Sequence, residues 1–292
     1  MDPTEIIIKY RCFMRRVNFS KTTIWNYVSN IKSLFEWLVV PIDEVTSDVI
    51  FDYIGFLNNR RLRPKTIDSY LNGIRRFYDY LKFEERINVA NPVKRSYQQI
   101  LPKSLPKFLK EQEIKILFSG ITNKRDIAIF MLMLRCGLRV AEVASLTFPA
   151  IDFERKSIFV LNGKFRKDRI VYMSDDTIDS LQAYMKVRPS SKTQNVFLVQ
   201  KGFHRGKSLS IRGIQKRIEN YAKETGLLVS CHRLRHTMAT QLLNADAMLA
   251  TVQELMGHAC VLSTQRYAKV SNAKVQRDYF KAMEFIMART NQ

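Results

Sequence analysis

The sequence predicts a mainly α protein with a small β-sheet, built as an N-terminal helical bundle followed by an α+β domain. Three observations carry this. Apolar residues recur at helical spacing through most of residues 1–87 and again from Lys110 onward. Strand-like runs are few and short: residues 157–161 and 169–173 flank Asn162-Gly163, a hairpin-turn pair, and residues 195–199 form another. Between the two helical stretches, Pro92, Pro102 and Pro106 interrupt a basic segment of little periodicity. The expected organisation is therefore a bundle over residues 1–87, an exposed linker over 88–107, a second domain over 108–270 and a final helix over 271–292.

Four helices are expected in the first domain. Ser20 suits the N-cap of a helix carrying Ile24, Tyr27, Val28, Ile31, Leu34, Phe35 and Leu38 on one side. Another starts from Thr46 or Ser47. A further one starts near Pro64, whose fixed φ suits a first helical turn, and its stripe is Ile67, Tyr70, Leu71, Ile74, Phe77, Tyr78 and Leu81. In the second domain, residues 111–121 read as a helix, and residues 122–137 as a nearly all-apolar helix that must be buried. Gly137 breaks that run and places Arg139 at the start of the next helix, where backbone amides also favour phosphate. A helix from Thr177 ends before Pro189. The loop around His204 is basic and Gly-containing, and a helix from Ser210 presents Arg212, Lys216 and Arg217 for the major groove.

The chain has 292 residues and 46% apolar composition, enough for two domains with cores of their own. Lys and Arg number 48 against 27 Asp and Glu, a net charge of +21, so an anionic polymer is the expected partner. Residues 1–100 hold 16 basic and 11 acidic side chains and residues 101–292 hold 32 and 16, so both domains are expected to face it. The four cysteines, Cys12, Cys136, Cys231 and Cys260, show no pairing or ligand spacing, as in a reducing cytosol. No signal peptide is read at the start, and no apolar run approaches the roughly 20 residues that span a bilayer. A soluble, cytoplasmic protein without a membrane partner is expected.

The stretch from Cys231 to Tyr267 gathers the chemistry. His232 and Arg235, three residues apart, share a helix face, and the apolar spacing of Met238, Leu242, Leu243, Leu249, Val252, Leu255 and Met256 would hold that face rigid. Gly257 stops the second helix of this stretch, His258 follows it, and Tyr267 follows Arg266. Breaking a phosphodiester requires fixed cationic donors and a nucleophile, because charge grows on the non-bridging oxygens. Arginine binds two such oxygens at once and stays protonated. Arg139 and Arg235 are candidates, and Lys164 at the hairpin tip is placed to act as a general acid. Lys167 and Arg169 lie close enough on the hairpin to compete with it. His236 is expected to pack or cap.

The segments GLRVAE, NGK, HRLRH and MGH, followed by Tyr267, resemble in that order the tyrosine recombinase (phage integrase) family, especially its small Xer-like members. The resemblance runs from about Ser20 to Tyr267. It implies a SAM-like core-binding domain and a catalytic domain of the DNA breaking-rejoining type. Arg139 and Arg235 would clamp the scissile phosphate, Lys164 protonate the leaving 5′ oxygen, His232 assist proton transfer, and His258 bond the phosphate. Tyr267 would attack phosphorus to form a 3′-phosphotyrosyl link, and Glu142 would brace the site. Lys21, Thr22, Lys65, Ser69, Arg75 and Arg76 would meet phosphates from the first domain. Around Asp246 and Met248 the chain departs from the family, in which a glycine and then an acidic residue are common there.

The implied activity is site-specific recombination of double-stranded DNA through a Holliday junction, by a tetramer linked through exchanged C-terminal helices. With the first domain opening the chain, the expected target is a core site of two inverted arms. A covalent intermediate conserves bond energy, so no nucleotide is required and no P-loop occurs. The arginine, lysine and histidine cations replace a metal, and no cofactor is expected. The alternatives are a type IB-like topoisomerase, disfavoured because His232 stands where such enzymes have a lysine, and a catalytically inactive DNA-binding regulator.

Overall fold

The computed structural model describes residues 2–99, 107–161 and 168–257. The chain divides into two compact units, Met1–Lys103 and Ser104–Gln292.

The first unit holds helices α1 (Pro3–Arg16), α2 (Lys21–Trp37), α3 (Ser47–Asn59) and α4 (Pro64–Phe83). Their starts follow local chemistry. Ser20 accepts the Thr23 N–H, Thr46 accepts the Val49 N–H, and Pro64 fills the first helical position of α4. The expected stripes turn inward, with Ile31, Leu34, Ile67, Ile74, Phe77 and Leu81 fully buried. Helix α4 runs close against α2 because Gly73 lacks a side chain. A Cβ there would lie 2.9 Å from Asn30 Nδ2, which donates to the Ser69 carbonyl at 2.9 Å.

Residues 88–99 correct the expectation of an exposed linker from residue 88. Val89 and Val93 are buried in the first unit's core. Asn91 Nδ2 donates to the Arg75 carbonyl at 2.9 Å and to Asp79 at 2.7 Å, and the Tyr97 hydroxyl donates to the Ser47 carbonyl at 3.1 Å. The absence of helical periodicity reflects an irregular strap, tied down by side-chain hydrogen bonds in place of a backbone ladder.

The second unit holds α5 (Glu111–Ser119), α6 (Lys124–Arg135), α7 (Val140–Ser145), strands β1 (Ile151–Asp152), β2 (Ser157–Val160) and β3 (Arg169–Tyr172), then α8 (Asp175–Met185), α9 (Ile211–Thr225), α10 (Cys231–Asn244) and α11 (Leu249–Met256). Helix α6 is buried along nearly its whole length, as its composition requires, and packs against α7, α8, α9 and α10. The strands form an antiparallel sheet in the order β1-β2-β3, with Val160 opposite Arg169 and Ser157 opposite Tyr172. Pleating turns Ile158, Val160, Arg169 and Val171 to the buried side. Residues 195–199 make only isolated bridges, Thr147 to Asn195 and Leu198 to Ser208, and not the expected strand. Arg188 meets carbonyls there that a neighbouring strand would otherwise serve, donating to Asn195 at 2.7 Å and Val196 at 3.0 Å.

Among the described residues, no helix is long and apolar enough to cross a membrane, and no cluster of His, Cys, Asp and Glu is arranged to hold a metal ion.

Candidate active site

Gly137, at φ +65°, turns the chain after α6 so that Arg139 becomes the N-cap residue of α7. Glu142, in the first turn of α7, reaches back and accepts the Arg139 backbone N–H at 2.6 Å, the carboxylate half of a capping box. One of the amides at the start of α7, where phosphate is expected to be favoured, is therefore occupied by Glu142. The same carboxylate accepts Arg139 Nη1 at 2.7 Å.

A second guanidinium faces Glu142 from β3. Arg169 Nη1 and Nη2 each donate to one carboxylate oxygen at 2.8 Å. The third, Arg235, comes from the second turn of α10, with Nη1 4.0 Å from Glu142 Oε2 and its side chain 3% exposed. Three guanidiniums thus surround one carboxylate, leaving a surplus of positive charge in a largely desolvated place, where an anion is strongly attracted. Burial pushes the Glu142 carboxyl upward, but hydrogen bonds and charge from Arg169, followed by those of Arg139, outweigh it and hold the group at about 2.

The arginines also cap the end of α11. Arg139 Nη2 donates to the Met256 carbonyl at 3.1 Å and to Gly257 at 2.8 Å, Arg169 Nε donates to Leu255 at 2.8 Å, and Arg235 donates to Gly137 and Met256. The Leu255 and Met256 carbonyls, in the last turn of α11, have no partners within the helix, and its negative dipole end suits cations. Gly257 adopts φ +54° and ends α11, as the sequence leads one to expect.

His232 lies one turn before Arg235 on α10, exposed, and opens onto a depression of about 610 Å³ also lined by Val229, Arg233 and His236. Its ring meets that of His236 edge-on, with centroids 5.0 Å apart. Burial, then the nearby His232 and Arg235, lower His236 to about 4, so it is neutral near pH 7 and packs as expected. Asp246, between α10 and α11, has φ +64°, a backbone conformation that favours glycine. This is where the sequence departs from the pattern of the family that it resembles.

The structure therefore brings Arg139, Glu142 and Arg235 together, with His232 a turn away. Lys164, His258 and Tyr267 lie outside the described residues, as do Lys167 and Cys260. Arg169 differs from its reading as a competitor of Lys164: its side chain is 1% exposed and paired to Glu142. The signal was available, since alternation along residues 169–173 places a charged residue on the inward side beside Val171.

In the first unit Lys21, Thr22, Lys65, Ser69 and Arg76 are exposed, with Arg76 over the Phe19 ring just ahead of α2. Arg75 instead donates to the Val93 and Lys94 carbonyls at 3.5 and 3.2 Å, which fastens the strap. On α9, Arg212 and Lys216 are exposed, Arg212 pairing with Glu219 at 2.8 Å. Arg217, 37% exposed, also pairs with a group in the core. It is drawn to Asp126, a carboxylate with no solvent exposure, at 2.6 Å, because a buried charge needs compensation.

Residues 7–88 match the phage integrase N-terminal SAM-like domain and residues 107–274 the phage integrase family. The chain is 31% identical over 279 residues to tyrosine recombinase XerA of Pyrococcus horikoshii, covering 96% of this chain and 94% of that protein. To tyrosine recombinase XerC of Pelotomaculum thermopropionicum it is 34% identical over 259 residues, covering 84% and 83%. Its fold is similar to that of the Tn1549 transposon integrase in complex with transposon right end DNA, with TM-score 0.78, 19% identity and coverage of 95% and 99%. The chain belongs to the phage integrase family of tyrosine recombinases.

Proposed function

We propose that the protein is a site-specific DNA recombinase. The observation that carries this reading is the convergence of Arg139 and Arg235, from separate segments, on Glu142 and on the end of α11 that leads to His258. Two guanidiniums so fixed suit the growing charge of an attacked phosphodiester. In this reading the Tyr267 oxygen bonds to phosphorus as the bond to the 5′ oxygen breaks, Lys164 gives that oxygen its proton, and a 3′-phosphotyrosyl link remains. His232 assists removal of the phenol proton as Tyr267 attacks, and His258 bonds the phosphate. A 5′-hydroxyl from a second duplex then reverses the chemistry, and two rounds of exchange pass through a Holliday junction.

The partner is double-stranded DNA with an inverted-repeat core site, gripped by the first unit through Lys21, Thr22, Lys65, Ser69 and Arg76. The names of the curated relatives support recombination, and the basic charge of both units supports the partner. Residues 271–292 dock into a neighbouring protomer and link four subunits. Removing residues 272–292 is expected to spare DNA binding and impair recombination.

The test is covalent capture from a pool of nicked duplexes with randomised cores. An adduct at the 3′ end that is lost in Tyr267→Phe is expected, and its absence from the wild type refutes the reading in favour of a DNA-binding regulator. Joints between two duplexes separate the recombinase from a topoisomerase.

A further inference from the structure

The inference concerns Arg169 and rests on the reading of Arg139 and Arg235 as phosphate ligands. Arg169 opens β3, the strand that follows Lys164 in the chain. Its side chain is 1% exposed, and each of its three guanidinium nitrogens donates to Glu142 or to the Leu255 carbonyl, so its fork is occupied within the protein. It binds both oxygens of Glu142 at 2.8 Å and the Leu255 carbonyl at 2.8 Å. Glu142 in turn holds Arg139 by side chain and backbone. One buried guanidinium therefore joins β3, the first turn of α7 and the last turn of α11.

We propose that Arg169 is a positioning residue for phosphodiester cleavage: it locks Glu142 so that Arg139 stays aimed at the scissile phosphate, and it ties the strand following Lys164 to the helix end preceding His258. The geometry demands arginine. A planar fork spans two carboxylate oxygens while its Nε serves a carbonyl, whereas an ammonium is a point charge on a flexible stem. The surroundings are fitted to it as well, because a Cβ at Gly257 would lie 3.0 Å from Arg169 Cδ.

The charge state of Glu142 depends on the same contact. Facing it are Arg139 from the start of α7, Arg169 from β3 and Arg235 from α10. Burial opposes ionisation, and the Arg169 hydrogen bond is foremost among the effects that restore it. Without Arg169 the carboxyl takes up a proton at higher pH, and a neutral Glu142 orients Arg139 less firmly.

The test uses the full chain and a nicked duplex recovered by covalent capture with the wild type. Arg169→Gln, Arg169→Lys, Glu142→Gln and the double variant Glu142→Gln/Arg169→Gln are compared at saturating protein, with DNA affinity and thermal melting recorded alongside. Arg169→Gln is expected to keep DNA affinity within about threefold while slowing capture about 100-fold, the scale of a small misplacement of reacting groups. The acid limb of its rate profile is expected at higher pH than in the wild type, a change that loss of packing alone does not produce. The double variant is expected to be no slower than Glu142→Gln, since the two residues act as one unit.

Capture by Arg169→Gln within about threefold of wild type, or a double variant slowed by the product of both single effects, overturns the proposal. If Arg169→Gln does not fold, Arg169→Lys decides: slowed capture with an intact fold and a shifted acid limb supports it, and a wild-type rate overturns it. A wild type that captures no DNA refutes the recombinase reading and the proposal with it. An active wild type with an unaffected Arg169→Gln refutes the proposal alone.

Discussion

Arg217 Nε donates to Asp126 Oδ2 at 2.6 Å, fastening α9 to α6 through a carboxylate that has no contact with solvent. Arg125 holds the other oxygen at 2.9 and 2.8 Å, and the Tyr221 hydroxyl donates to Oδ2 at 3.0 Å. Breaking a buried pair strands a charge, so Asp126→Ala is expected to lower stability by about 3 kcal/mol in urea unfolding. On the same helix, Lys216→Ala is expected to reduce the salt slope of DNA binding by about 1, as for a lost phosphate contact, while Arg217→Ala lowers the melting temperature with the slope unchanged. Equal effects of the two on the slope would return Arg217 to the DNA interface.

The Glu142 carboxyl, ordinarily near 4.5, is held at about 2 in the folded protein. A depressed carboxyl contributes stability that is present above its unfolded value and lost as pH falls through its folded value. The contribution, roughly 3 kcal/mol at 1.36 kcal/mol per unit, is expected to disappear between about pH 4.5 and 2. Denaturant titrations across that window check this, and Glu142→Gln should flatten the corresponding part of the curve.

Gly226 and Gly257 both end helices with positive φ, +68° and +54°, but only Gly257 has a neighbour within 4 Å of an added Cβ. Gly226→Ala is expected to cost about 1 kcal/mol, the usual penalty for a side chain in the left-handed region. Gly257→Ala adds a clash with Arg169 and should cost at least about 1 kcal/mol more, with slower covalent capture of DNA. Equal melting temperatures for the two variants would show that Arg169 moves aside freely.

In the first unit the Tyr10 hydroxyl is the one buried side-chain polar atom among the described residues with no hydrogen-bond partner. Its ring nevertheless packs against Phe77 and Tyr80 at centroid distances of 5.2 and 5.0 Å. Tyr10→Phe keeps those contacts and removes an unsatisfied group, so a gain of about 1 kcal/mol is expected. Burial also raises the Tyr10 phenol above its ordinary value of 10, so stability present below that value is lost in more alkaline solution. Tyr10→Phe should lessen that loss, which alkaline unfolding curves measure.

Local chemistry made much of the fold legible. Ser20, Thr46 and Pro64 start their helices, Gly257 ends α11, the apolar run of α6 is buried, and the runs beside Asn162-Gly163 pair as strands. Each of these follows from residues within a turn or two of one another. The motif order likewise identified the family, and Arg139, Glu142 and Arg235 do meet in space.

What the tertiary structure alone decided was the use of individual charges and of irregular backbone. Nothing near Arg169, Arg75 or Arg217 in the chain names Glu142, the Val93 carbonyl or Asp126 as its partner. A long cationic side chain is stable either in water or folded inward onto a buried acceptor, and the choice depends on what a distant segment places opposite it. The strap over residues 88–99 was hidden for the same reason: its anchors, Asp79 to Asn91 and Asp68 to Gln99, join positions that no short-range period connects.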